Sequence, residues 1–234
     1  MARSGDSSAV SGQDRGMTYM GLVRPGGPAD VRELAEVIVT KLAVGPMNNN
    51  CYLLRCRATG QQLLIDAAAE PERLLDLIGP DGLEAVVTTH EHADHVGALA
   101  EVVTATGATT YARQPDAGRL PVETRIVVDH GDRIAWGACA LEAIALTGHT
   151  PGGVALLYDD PDGHAHVFTG DSLFPGGVGN TWDDAARFTQ LLGEVEQRLF
   201  DRLSDETWIY PGHGADTTLG AERPQLPAWR ARGW

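Results

Sequence analysis

Three imidazoles and two carboxylates stand within six residues in the run His90-Glu91-His92-Ala93-Asp94-His95. The run follows directly on the apolar stretch 83–88, which predicts a short buried strand. A strand that empties into this many ligand-type side chains constrains the fold strongly, because it demands a cleft at the strand end where they can meet. In extended backbone, residues two apart point the same way, so His90 and His92 can reach one cation. The period changes where the chain turns into the next helix, which sends Asp94 and His95 aside, toward a second cation beside the first. Neutral imidazole suits zinc and iron, and a carboxylate adds charge and can orient water. The metalloprotease pattern His-Glu-x-x-His would need a histidine at position 94, where Asp94 stands.

Further candidates appear downstream at strand ends. His149 lies in Thr147-Gly148-His149-Thr150-Pro151-Gly152-Gly153, Asp171 follows Phe168-Thr169-Gly170, and His213 sits in Tyr210-Pro211-Gly212-His213-Gly214. The neighbouring glycines permit close backbone approach. Taken singly, each is more often a hydrogen-bonded structural residue; together, after the first run, they read as one ligand set.

The net charge of -14 and a pI near 4.8 disfavour a nucleic-acid backbone or an anionic membrane surface as partner, since both are bound through Lys and Arg. Cys51, Cys56 and Cys139 have neither zinc-ribbon nor redox spacing and read as small buried side chains in a reducing compartment. Nothing approaches the roughly 18 consecutive apolar residues of a membrane span. Residues 1–16 lack the apolar centre of a secretory signal. They read as a disordered lead-in, with Met17 or Met20 as an alternative start. Residues 17–234 are then expected to form one domain of a cytoplasmic protein.

Periodicity predicts a short helix or turn over 30–37, then strands at 37–44, 51–55 and 62–66 in an antiparallel meander. Helices are expected at 71–78, 96–106 and 184–203, the last carrying a stripe of Phe188, Leu191, Leu192, Val195, Leu199 and Leu203. Strands are expected at 109–112, in pieces across 124–146, and at 154–158, 166–169 and 208–210. Two blocks of strands, each followed by helices, predict an α/β fold of two packed sheets covered outside by helices. Asn48-Asn49-Asn50 reads as a turn near the pocket, His130 as a turn residue, and His164 and His166 as hairpin flanks. Ser172 reads as structural, and Trp229 and Trp234 as anchors of the tail.

The ordered set His90-x-His92-x-Asp94-His95, His149, Asp171, His213 resembles the metallo-β-lactamase-fold hydrolase superfamily over residues 41–213. The resemblance implies a four-layer αββα sandwich with ligands on loops at one edge. It implies His90, His92 and His149 at a first metal, Asp94, His95 and His213 at a second, and Asp171 bridging both. Asp66 matches the family's early acidic position, read as a residue that holds a ligand imidazole. True β-lactamases carry Cys or another residue where Asp171 stands. The chain looks closer to the glyoxalase II-like branch, the hydroxyacylglutathione hydrolases, and to its short single-domain members. Two features depart from that branch. Only 21 residues follow His213, where the full-length enzymes carry a helical domain with glutathione contacts. Asn180, followed by Thr181 and Trp182, stands where relatives, persulfide dioxygenases among them, often have Arg, a small hydroxyl residue and Asp.

The expected activity is hydrolysis of a small thioester or ester by a hydroxide shared between two divalent ions, zinc first and iron or manganese as alternatives. Asp94 would orient the nucleophile and take its proton, and Asp171 would join the two ions. A thiolate leaves without a strong general acid. Three alternatives stay open: a mononuclear iron persulfide dioxygenase using His90, His149 and Asp171, a lactonase or other hydrolase of the superfamily, and a non-catalytic metal-binding protein.

Overall fold

A computed structural model describes residues 19–233 of the chain. The lead-in expected over residues 1–16, the possible start at Met17, and Trp234 lie outside these residues. Seven strands form the first sheet in sequential order: β1 (Asp30–Glu33), β2 (Val37–Val44), β3 (Asn49–Cys56), β4 (Gln62–Ile65), β5 (Ala85–Val87), β6 (Thr109–Arg113) and β7 (Ile126–Val128). Pairing is antiparallel from β1 to β4 and parallel from β4 to β7. The second sheet contains β8 (Arg133–Trp136), β9 (Cys139–Ala145), β10 (Val154–Asp159) and β11 (Ala165–Gly170). After the small hairpin β12 (Leu173–Phe174) and β13 (Gly177–Val178), it is completed by β14 (Trp208–Pro211) and β15 (Thr217–Thr218), in the order β15-β14-β11-β10-β9-β8.

Three apolar cores show how the layers stack. The central core draws Val39, Leu54 and Ile65 from one sheet and Leu141, Leu156 and Phe168 from the other. Residues of the opposite parity, Leu42, Leu64 and Val86, pack outward against α1 (Pro71–Ile78) and α3 (Leu99–Thr106). On the far side Ala155, Leu157 and Ile209 pack against α5 (Ala185–Val195) and α7 (Leu226–Arg232). The period-two alternation of the strands sends one set inward and the next outward. The result is the αββα sandwich. Short helices α2 (Ala93–Val96), α4 (Gln114–Ala117) and α6 (Leu219–Glu222) sit in the connections.

Several local expectations are corrected. The segment expected as a helix or turn over 30–37 is the edge strand β1. Its inward residues, Asp30 and Arg32, are polar, so it shows no apolar alternation. Asp30 accepts the Met20 and Gly21 amides, and Arg32 lies over Trp208 and donates to the Tyr210 hydroxyl. The long helix expected over 184–203 ends its α-helical part at Val195 and continues as a π-helical turn, Glu196–Phe200. Asn48 is in a turn with φ 58°, but Asn49 and Asn50 are buried strand residues. Two expectations hold: His166 packs in the sheet, buried against the Tyr210 hydroxyl, and Trp229 anchors the tail, buried beside Phe200. No helix of the described residues is long and apolar enough to cross a membrane.

The topology fixes where the site lies. Strands β4, β5, β11 and β14 run so that their C-terminal ends reach one edge of the sandwich. Asp66, the His90 run, Asp171 and His213 follow directly on those ends. β9 shares the direction of β11, so His149 arrives at the same edge, and the antiparallel β3 begins there with Asn49.

Candidate metal centre

The structure brings His90, His92, Asp94, His95, His149, Asp171 and His213 into one cleft. Their donor atoms group as His90, His92 and His149; as His90, His95 and Asp171; and as Asp94, His95 and His213, each group spanning at most 4.8 Å. His92 Nδ1 faces His149 Nε2 at 3.0 Å, and His95 Nε2 faces His213 Nε2 at 3.2 Å. Asp171 lies between the two clusters. Its Oδ1 is 3.3 Å from His95 Nε2, and its Oδ2 is 3.5 Å from His149 Nε2 and 3.4 Å from His213 Nε2. Asp94 Oδ2 is 3.4 Å from His213 Nε2.

The hydrogen bonds on the far side of each ring fix which nitrogen is available. His95 Nδ1 donates to Asp66 Oδ2 at 2.8 Å, His149 Nδ1 to the Asn180 carbonyl at 2.8 Å, and His213 Nδ1 to the Met47 carbonyl at 2.9 Å. The Thr89 hydroxyl donates to Asp66, so it accepts from His90 Nδ1 at 3.0 Å. Each of these four imidazoles therefore turns Nε2 into the cleft, where the neutral ring presents a lone pair. His90 Nε2 is enclosed and has no hydrogen-bond partner.

Ring nitrogens that face one another across 3.0–3.2 Å must share either a proton or a cation. Ligands at about 2.0–2.1 Å from a tetrahedral ion stand about 3.3 Å apart, close to the spacing found. The donor set thus fits divalent cations. His90, His92 and His149 would hold one; Asp94, His95 and His213 would hold another; and Asp171 faces both.

The electrostatics agree. Burial pushes His90 well below the usual histidine range and lowers His149. Burial opposes charge on His95, yet Asp171 beside Nε2 and the hydrogen bond to Asp66 lift it to about 10, so without metal Nε2 carries the proton that a bound cation would displace. Burial likewise opposes charge on His213, and its hydrogen bond to Asp171 outweighs that and raises it. Burial disfavours an ionised Asp171, but the His213 and His95 imidazoles beside it hold it far below the carboxylate range. Burial of Asp94 is outweighed in the same way by the hydrogen bond from Asn49. Negative charge at Asp171 and Asp94 favours a cation on the nitrogens that face them.

Four supporting residues escaped the sequence reading. Asn49 Nδ2 donates to Asp94 Oδ2 at 2.8 Å. Asp116, buried after β6, accepts the Glu91 amide at 3.1 Å and the Gly152 amide at 2.6 Å, tying the loop of His90 and His92 to that of His149. Lys41 is buried and reaches the Gly214 carbonyl at 2.7 Å and Asp216 at 2.6 Å, anchoring the loop after His213. Trp182 packs on His92 and His149. The Asn-Asn run was the one available signal for Asn49; the others have no local signature. Asp66 accepts from the Thr89 amide and hydroxyl as well as His95, so one carboxylate braces two loop residues and a ring.

Comparison with known proteins agrees with this geometry. Residues 44–213 match the family model described as the metallo-beta-lactamase superfamily. A hydroxyacylglutathione hydrolase of Rhodospirillum rubrum is 38% identical over 171 residues, covering 71% of this chain and 62% of that protein. The chain spans less than two thirds of the length of the hydroxyacylglutathione hydrolases it matches. Among solved structures, ETHE1 from Myxococcus xanthus superposes with a TM-score of 0.70 at 31% identity, covering 81% of this chain and 83% of that one. TTHA1623 in a di-iron-bound form gives 0.63 at 35% identity, covering 78% and 96%. The chain belongs to the metallo-beta-lactamase superfamily of hydrolases.

Proposed function

We propose that this chain is a dinuclear metal-dependent hydrolase of thioesters or esters. The observation that carries this reading is the pair of donor clusters joined by Asp171, each of whose oxygens faces imidazole nitrogens of the cleft. Two bound divalent cations would supply Lewis acidity, lowering the pKa of water and polarising a carbonyl.

The remaining work falls to the chain. Asp94 is held by Asn49 through one oxygen and is partly open to the cleft. As an ionised acceptor it orients an attacking water and receives its proton. Asp66, Asn180 and Met47 hold three imidazoles in the tautomer that faces the cleft. Asp116 keeps the two histidine loops at fixed separation, so the substrate meets a preformed site. A thiolate departs without a protonated donor, which suits a site whose carboxylates are ionised. The similarity to hydroxyacylglutathione hydrolases supports a thioester, and the likeness to a di-iron-bound structure makes iron a candidate beside zinc.

The test is elemental analysis of native protein alongside a panel of thioesters, lactones and phosphodiesters. About two equivalents of metal with thioester cleavage, lost on chelation and restored by metal, is the expected result. One iron per chain with oxygen uptake on glutathione persulfide, and no hydrolysis, would replace this reading with the dioxygenase.

A further inference from the structure

Trp182 stands out at the rim of the cleft. Its side chain is 51% exposed, yet its ring centroid lies 5.5 Å from that of His92 and 5.2 Å from that of His149, tilted only 27° from the latter. The backbone beneath it is strained: Trp182 and Asp183 have φ of 54° and 59°, two successive side-chain-bearing residues in the left-handed region. Left-handed backbone is unfavourable for residues that carry a Cβ. The conformation is held by the Trp182 amide donating to Asn180 Oδ1 at 2.7 Å, and the indole is braced by the Arg187 guanidinium at 4.8 Å. A half-exposed indole gains little for folding from this arrangement. Its free face is turned to solvent at the rim of the cleft.

Trp182, Pro151, Thr150 and Arg119 line a cavity of about 470 Å³ that reaches His92 and His149. Across the cleft, Met47 is 60% exposed above His213, and Phe174 lies 6.3 Å from that ring. The two cations that border the cavity are engaged: Arg119 pairs with Glu91, and Arg187 donates to the Gly148 and His149 carbonyls. Glu91 also lines the cavity, and its apolar contact beside the reacting centre comes from Trp182 and Pro151.

We propose that Trp182 is the residue that selects the acyl group, and that the substrate is a thioester with an apolar acyl group rather than a hydroxyacyl one. This rests on the hydrolase reading above. The acyl carbon enters between the donor clusters, and its apolar substituent lies along the indole and Pro151. Removing its surface from water supplies the discrimination.

The experiment uses the full chain loaded with metal and N-acetylcysteamine thioesters carrying acetyl, D-lactoyl, hexanoyl and phenylacetyl groups. In the wild type, kcat/KM for hexanoyl or phenylacetyl exceeds that for D-lactoyl by tenfold or more, and the hexanoyl-to-phenylacetyl ratio separates a chain from a ring. Trp182→Ala collapses the phenylacetyl-to-acetyl ratio about tenfold through KM, and Trp182→Phe retains most of it. Binding of the unhydrolysable thioether S-phenacyl-N-acetylcysteamine, by calorimetry on metal-stripped protein, weakens about tenfold in Trp182→Ala. Equal ratios in wild type and Trp182→Ala, a preference for D-lactoyl, or thioether binding indifferent to position 182 would each overturn the proposal. Trp182-dependent thioether binding without hydrolysis of any thioester supports the pocket and sinks only the hydrolase reading.

Discussion

Asn49 Nδ2 donates to Asp94 Oδ2 across 2.8 Å, joining the first residue of β3 to the helix that carries two of the second cluster's donors. Supporting hydrogen bonds of this kind are worth 10–100-fold in metal affinity. Asn49→Ala is therefore expected to weaken binding of the second equivalent of metal by about that factor and to lower kcat. Competitive titration against a chromophoric chelator reads this out, with the first equivalent as internal reference.

Asp66 tests the opposite side of the site. Asp66→Ala leaves the Thr89 amide, the Thr89 hydroxyl and His95 Nδ1 without their shared acceptor. Each buried donor left unpaired costs about 1–3 kcal/mol. The variant should lose metal affinity and several kcal/mol of stability together, seen as a lowered urea midpoint in the metal-free protein.

Gly179 sets how closely two site loops approach. A Cβ there would stand 1.8 Å from the Asp171 carbonyl oxygen and 3.2 Å from His149 Nδ1. Gly179→Ala must push the loops apart, so metal stoichiometry should fall toward one or less, with activity lost. A variant retaining two equivalents would show that the loops can separate without opening the site.

Lys41 and Asp216 form a buried pair at 2.6 Å, their side chains 0% and 1% exposed. Burial lowers Lys41 and raises Asp216, while their mutual attraction works the other way. Lys41→Met removes the partner of a buried carboxylate and is expected to cost about 3–5 kcal/mol. Equilibrium urea unfolding measures it. Activity per folded molecule should also drop, because Lys41 holds the Gly214 carbonyl beside His213.

His166 should make stability depend on pH. Burial, with positive charge at Arg32 and His164, depresses it to about 3 in the folded chain. An unfolded histidine titrates near ~6.5. Below that value the unfolded state binds a proton that the folded state refuses, so stability falls as pH drops from about 6.5 toward 3 and is unaffected above. The slope from this residue is at most about 1.4 kcal/mol per pH unit. In His166→Gln the stability gap to wild type should be constant above pH 7 and shrink below pH 6; a constant gap throughout would contradict this.

The helix of residues 71–78 was legible from Pro71 and its apolar spacing, and most strands from β-rich runs between turn signals. β1 was not, because its inward face is Asp30 and Arg32 and its partner strand supplies the pairing. The break of the long helix at Val195 was also invisible, since the apolar stripe runs on through Leu199 and Phe200 into a π-helical turn with the same buried face.

The sequence by itself marked out the candidate donors, because His90, His92, Asp94 and His95 carry their spacing within one strand end and its turn, and His149, Asp171 and His213 each sit at a strand end beside glycine. Only the tertiary structure decided how those groups are held. Asn49 reaches Asp94 across 45 positions, Asp116 reaches Gly152 across 36, and Lys41 reaches Asp216 across 175. Such contacts depend on strand order and on how two sheets face each other, which local periodicity does not encode. Trp182 belongs to the same class: its position above two imidazoles follows from a strained turn held by tertiary contacts, not from any pattern in its neighbours.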